Sequence, residues 1–137
     1  MIEALTRLDW IAIGLATLAS YVLGALWFTP LFGRAWDRSL GISRERGTRY
    51  PPIYYLMPFV SSVLVSVATA ILVTAIGAEG WGESAVLGLV VGIGYSAAVT
   101  FTNAVNPVTP HPLAFAAITG SYHVVSAVAA AVIIGAF

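Results

Sequence analysis

The chain has 137 residues, 59% of them hydrophobic and only 9% charged, and its formal net charge is zero. Soluble domains carry about 25% charged residues, so this composition excludes an ordinary water-facing surface and predicts lipid as the solvent for most of the chain. Zero net charge offers no basic surface for nucleic acid, and the absence of cysteine removes disulfides, thiolate metal ligands and cysteine nucleophiles.

The first nine residues carry Glu3, Arg7 and Asp9 in place of a basic leader region. The uncharged stretch that follows, residues 10–28, therefore reads as a first transmembrane helix and not as a signal peptide. At about 1.5 Å per residue it covers roughly 28 Å, close to the hydrocarbon thickness. Residues 29–52 form the one long loop. At its start Leu31, Phe32, Ala35, Trp36 and Leu40 recur at helical spacing, with Arg34, Asp37 and Arg38 on the other face. That pattern predicts a short amphipathic helix lying in the membrane interface. Its arginines, Arg34 and Arg38, either hold anionic head groups or only set topology.

Three more apolar stretches reach spanning length, at residues 53–76, 84–105 and 113–136. Pro58 either starts the regular part of the second span or kinks its first turns. None of the stretches alternates with period two, and an open sheet would leave backbone groups unpaired in lipid. The expected fold is an all-α integral membrane bundle of four transmembrane helices, forming one domain over residues 1–137.

Aromatic residues gather near the span ends. Trp10 and Trp81 fall on one side; Trp27, Trp36, Tyr50, Tyr54 and Tyr55 fall on the other, as an interfacial belt would. The 29–52 loop carries Arg34, Arg38, Arg44, Arg46 and Arg49, against Arg7 alone on the opposite side. The positive-inside rule then places this loop in the cytoplasm and both termini outside, in a cell (inner) membrane.

Each span carries small residues spaced by four, which let helix backbones approach closely in lipid. The rows are Ala12, Ala16, Ser20 and Gly24 in the first span; Ser62, Ser66, Ala70 and Thr74 in the second; and Ala127, Ala131 and Gly135 in the fourth. The third span has the longest row: Ser84, Gly88, Gly92, Ser96, Thr100 and Ala104. Its Gly88 and Gly92 predict backbone contact with a neighbour, in the same subunit or in a second copy.

His123 is placed deep in the fourth span, about 15 Å from its start. Matching depths on the antiparallel spans brings Tyr95 and Ser96, Thr17, Ser20 and Tyr21, and Ser62 and Ser66 to the same level. An ionisable residue at that depth suggests function. On that reading His123, Tyr21, Tyr95 and Tyr122 line a hydrated or ligand-binding cavity, and a neutral imidazole relays a proton or binds a polar solute. The alternative is that His123 only hydrogen-bonds a hydroxyl and fixes helix register. His123 shares a face with Gly120 and Ala127 and so is expected to point into the bundle. Asn103 and Asn106, with Pro107, Pro110, His111 and Pro112, make an uncharged turn near the surface. Two separate histidines without nearby carboxylates predict no metal site, and no cofactor is implied.

The run Gly24-Ala25-Leu26-Trp27-Phe28-Thr29-Pro30-Leu31-Phe32-Gly33-Arg34-Ala35-Trp36 resembles the signature of the DUF1761 membrane proteins. The segment Gly120-Ser121-Tyr122-His123, preceded by Asn103, is similar to that family's second signature. The resemblance spans nearly the whole chain. It implies four helices, gives weight to Trp27, Pro30, Gly33, Trp36, Asn103, Tyr122 and His123, and implies no reaction. The loop before the last helix departs from the family by carrying no acid, arginine or lysine.

Three functions compete. A homo-oligomeric channel, transporter or polar-ligand binder fits the midplane polar layer and the small-residue rows. A non-catalytic accessory protein holding an unrelated membrane partner is the alternative. An enzyme ranks last, because general acid–base work needs positioned titratable groups and His123 stands without a partner acid inside a span.

Overall fold

The computed structural model describes residues 5–45 and 47–137. Glu3 and Arg46, two of the charges used above, lie outside the described residues. Among the described residues the fold is carried by α1 (Trp10–Leu26), α2 (Gly33–Leu40), α3 (Ile53–Ile76), α4 (Gly80–Val91), α5 (Ala98–Ala104) and α6 (Pro112–Gly135). A π-helical segment, Trp27–Leu31, extends α1, and another, Gly92–Ala97, joins α4 to α5. No strand occurs among the described residues. Among the described residues four continuous helical spans are long and apolar enough to cross a membrane: Trp10–Leu31, Ile53–Ile76, Gly80–Ala104 and Pro112–Gly135.

The ends of these helices follow from local chemistry. The Asp9 carboxylate accepts the N–H groups of Ile11 and Ala12 at 2.8 and 2.9 Å and starts α1, a cap worth about 1 kcal/mol. Pro30 has no N–H for the helical ladder. The chain there widens to i→i+5 bonding, with the Phe32 N–H on the Trp27 carbonyl at 2.8 Å. Gly41 and Gly77 stop α2 and α3 in the left-handed conformation at φ 67° and 66°. Behind each, the next N–H reaches back to the last helical turn, Ile42 to Asp37 and Ala78 to Val73. The third span begins one turn earlier than expected because Glu83 accepts the Glu79 N–H at 2.8 Å and organises its first turn.

The fourth span, α6, is the centre of the bundle and packs against the other three. The first and second spans pack together and against α6, around Ala12, Ile13, Ala16, Ala70, Val73, Ala130 and Ile134. The third span packs chiefly on α6 and barely touches the second, although three residues join them. Gly88 and Gly92 explain that choice. A Cβ on Gly88 would lie 2.7 Å from the Val128 Cα, and one on Gly92 would lie 2.9 Å from the Val124 Cα. The row therefore meets α6 of its own chain at backbone contact, and Gly135 meets Ser84 at the far end of the same seam.

The third row stays on one face from Ser84 to Ala104; only Ser96 along it is less than fully buried. Positions four apart in a straight α-helix drift by about 40° per step. The π segment Gly92–Ala97 holds more residues per turn and cancels that drift. The second span has no such segment. Its inner face passes from Ser62, Ser66 and Ala70 to Val73, and Thr74 turns partly outward.

Candidate functional site

The bundle interior is polar one turn from its apolar centre. Ala16, Ala70 and Ala130 sit in one packed cluster. One turn from each, toward the side bearing the 29–52 loop, stand Ser20, Ser66 and Ser126, all buried. Serine in a helix usually folds its hydroxyl back onto the carbonyl four residues earlier. Ser62 does this, donating to the Pro58 carbonyl at 2.9 Å. Ser20 and Ser66 do not: they are 1% and 0% exposed, and neither hydroxyl has a hydrogen-bond partner. An unpaired buried hydroxyl costs about 1–3 kcal/mol, so two at one level call for an explanation.

His123 follows, two turns from Ala130 on α6. It is half-buried, and its imidazole makes no hydrogen bond among the described residues. Its ring lies 5.1 Å from that of Tyr122. The Tyr122 hydroxyl donates to the Ser20 carbonyl at 3.3 Å and ties α6 to α1 at this level. The ring fits there because α1 has a glycine opposite: a Cβ on Gly24 would lie 2.9 Å from the Tyr122 hydroxyl.

Below Tyr122 the two signature segments meet. The ring of Phe28 lies 5.0 Å from Tyr122 and 5.5 Å from Trp36, and Trp27 lies 6.3 Å from Tyr122. Trp27 donates its indole N–H to the Ile118 carbonyl at 3.0 Å, and Trp36 donates to the Thr119 hydroxyl at 3.3 Å. These indoles are half-buried braces on α6. Besides any place in an interfacial belt, their N–H groups have partners on another helix. Trp10 and Trp81 do stand exposed at the opposite end.

Arg44 locks this junction from the loop. Its guanidinium donates to Asp37 at 2.7 Å, to the Phe28 carbonyl at 2.9 Å and to the Gly33 carbonyl at 3.2 Å. It also lies 5.7 Å from the centre of the Trp36 ring. A planar five-donor group is suited to holding a carboxylate and two carbonyls at once. Gly33 must be glycine here, because a Cβ would meet the Phe28 carbonyl at 2.8 Å and the Arg44 guanidinium at 2.9 Å.

The expected residues thus divide. Ser20, Ser62, Ser66, Tyr122 and His123 fall on inner or junction surfaces. Tyr21 is half-buried with its ring edge-on to Phe59 at 5.6 Å, on the side toward the second span. Tyr95 is not brought to His123: it is 70% exposed on the outer surface. Depth matching took no account of the π segment, which keeps Gly92, Ser96 and Thr100 inward and sends Tyr95 out. Ser96 stays half-buried, with its carbonyl accepting the Thr100 hydroxyl at 2.7 Å. Gly120 faces the third span, with a Cβ position 3.3 Å from the Phe101 ring. Asn103 is exposed and apart from His123. The turn after it is organised by Asn106, whose amide donates to the Asn103 carbonyl and the Thr109 hydroxyl at 2.8 Å each. Arg34 and Arg38 are exposed beside the junction.

Sequence reasoning missed Ser126, Asp37, Arg44 and Thr119. Ser126 had a usable signal, since it lies one turn from both Tyr122 and Ala130. Arg44 had none beyond its distance from Asp37, because its other partners are backbone atoms.

A family model described as "Protein of unknown function (DUF1761)" matches residues 11–135. That match covers both signature segments and nearly all of the four spans. No curated protein and no solved structure matches the chain.

Proposed function

We propose a function on the premise that this chain belongs to the DUF1761 family: it binds and passes a small polar solute, water or protons through the midplane layer of Ser20, Ser66, Ser126 and His123. The observation that carries this reading is the pair of unpartnered hydroxyls, Ser20 and Ser66, fully inside the bundle. Together with His123 they leave hydrogen-bonding capacity on three different helices at neighbouring levels. A bound water or hydroxylated solute needs two to four such partners. In this reading His123 is neutral and either accepts or donates at the site. The layer holds solute and carries no reaction of its own.

The arginine-bearing loop lies in the cytoplasm in this reading, by the excess of Arg34, Arg38, Arg44 and Arg49 over Arg7. The working unit is a homo-oligomer. Its subunits meet on the shallow groove of about 410 Å³ between the third and fourth spans, where the small side chains of Ala117 and Ser121 permit close approach.

Reconstitution tests this directly. Proteoliposomes of the full chain should pass water, glycerol or protons faster than empty liposomes, by stopped-flow swelling or an internal pH dye. His123→Ala and Ser66→Val should each lower that flux at least tenfold while eluting as the wild-type oligomer. Flux equal to empty liposomes, or unchanged in both variants, overturns the reading.

A second reading rests on a different feature. Residues 53–61 of the second span are exposed on every face, which suits an accessory protein that lends this helix end to an unrelated membrane partner. A stoichiometric partner recovered after mild extraction would favour it.

A further inference from the structure

The second span leaves the bundle on its arginine-bearing half. Every residue from 53 to 61 is exposed, whereas Ser62, Ser66, Thr69, Ala70 and Val73 are buried. The divergence opens a cleft of about 450 Å³ toward the first span, lined by Tyr21, Tyr50, Pro52, Tyr55, Leu56 and Phe59. That volume falls within the range of sites for small ligands, about 300–1,000 Å³. The lining is ring and aliphatic carbon with tyrosine hydroxyls as its polar groups, and one side is open to the surroundings of the bundle.

Charge on this side is mostly positive, with Glu45 the one exposed acid among the described residues of the loop. Arg49 directly precedes the lining residue Tyr50, with its Cα about 3.8 Å from that of Tyr50, so the opening lies within the length of an extended arginine side chain. It is exposed, and among the described residues it has neither an ion pair nor a hydrogen bond. The arginine that is paired with an acid is Arg44, held by Asp37. Arg34 and Arg38 add exposed positive charge on the same side. A second copy entering this cleft by the same face would bring its own arginine loop against this one and be repelled. An anionic amphiphile matches both features, with apolar chain for the cleft and phosphate for the guanidinium.

We propose that this cleft is a site for one anionic phospholipid, whose acyl chain lies against Tyr21, Tyr55, Leu56 and Phe59 and whose phosphate is held by Arg49. The site is independent of the midplane layer, and neither stands on the other.

Native mass spectrometry of the full chain in detergent tests it, with phosphatidylglycerol and phosphatidylcholine of identical acyl chains titrated separately. The wild type should retain one phosphatidylglycerol per chain, with a preference over phosphatidylcholine of about fivefold, the effect of one arginine at the surface. Arg49→Gln should abolish the preference and keep the phosphatidylcholine level. Leu56→Trp, at an exposed position, should fill the cleft and lower retention of both lipids. Arg7→Gln, on the opposite side, should match the wild type. Equal retention of the two lipids by the wild type overturns the site. A preference that survives Arg49→Gln, or retention unaffected by Leu56→Trp, also overturns it.

Discussion

Arg44 concentrates more interactions than any other charged side chain described here. It joins Asp37, two backbone carbonyls and the Trp36 ring. Removing it leaves Asp37 in a partly enclosed site with one oxygen already unpartnered. Arg44→Gln is expected to destabilise the folded chain by about 2 kcal/mol, in the range of lost hydrogen bonds to charged groups. Unfolding in sodium dodecyl sulfate, followed by tryptophan fluorescence, reads this. The glycines give a sharper contrast. Gly88→Ala must push against the backbone of α6 and should cost about 1–3 kcal/mol, as overpacking does. Gly14→Ala meets nothing within 4 Å and should stay within about 0.5 kcal/mol of the wild type. Equal effects at the two positions would remove the third-to-fourth seam as the reason for Gly88.

Among the elements, the π segment Gly92–Ala97 decides which residues of the third span look inward. Deleting Gly94, which has open space around it, should return the segment to ordinary helix. One residue and the widened turn are then lost together, so Thr100 and Ala104 keep their direction toward α6. Stability in the same unfolding assay should stay within about 1 kcal/mol of the wild type; a loss of several kcal/mol would mean the extra residue does more than set register. This element also marks where sequence reading ran out. Hydropathy located the second span at residues 53–76, as the structure has it, because apolar composition and the left-handed stop at Gly77 coincide. It missed the first turn of the third span, since Gly80 to Glu83 looked too polar for lipid. It misplaced Tyr95, because no composition signal announces a π segment. The bonds of Trp27 and Trp36 to α6 were not legible either, because counting indoles near a boundary says nothing about which carbonyl or hydroxyl each N–H will find.

Across the whole molecule, the four spans were legible from length and hydropathy, and the central position of α6 was not. That position depends on which small-residue rows meet, and rows of similar composition occur on every helix. Sidedness belongs to this scale too. The chain lacks cysteine, so single cysteines report cleanly: Ser43→Cys should react with a membrane-impermeant maleimide in inverted vesicles only, and Glu79→Cys in right-side-out vesicles only. The reverse pattern would turn the arginine loop outward. The midplane layer is the central claim, and water contact at His123 tests it most directly. With histidine alone isotopically labelled and the chain in nanodiscs, His111→Gln separates the two imidazole signals. Magnetisation transfer from water should then reach the His123 ring as strongly as it reaches exposed His111. Transfer arriving only from lipid chains and neighbouring methyl groups would contradict the account.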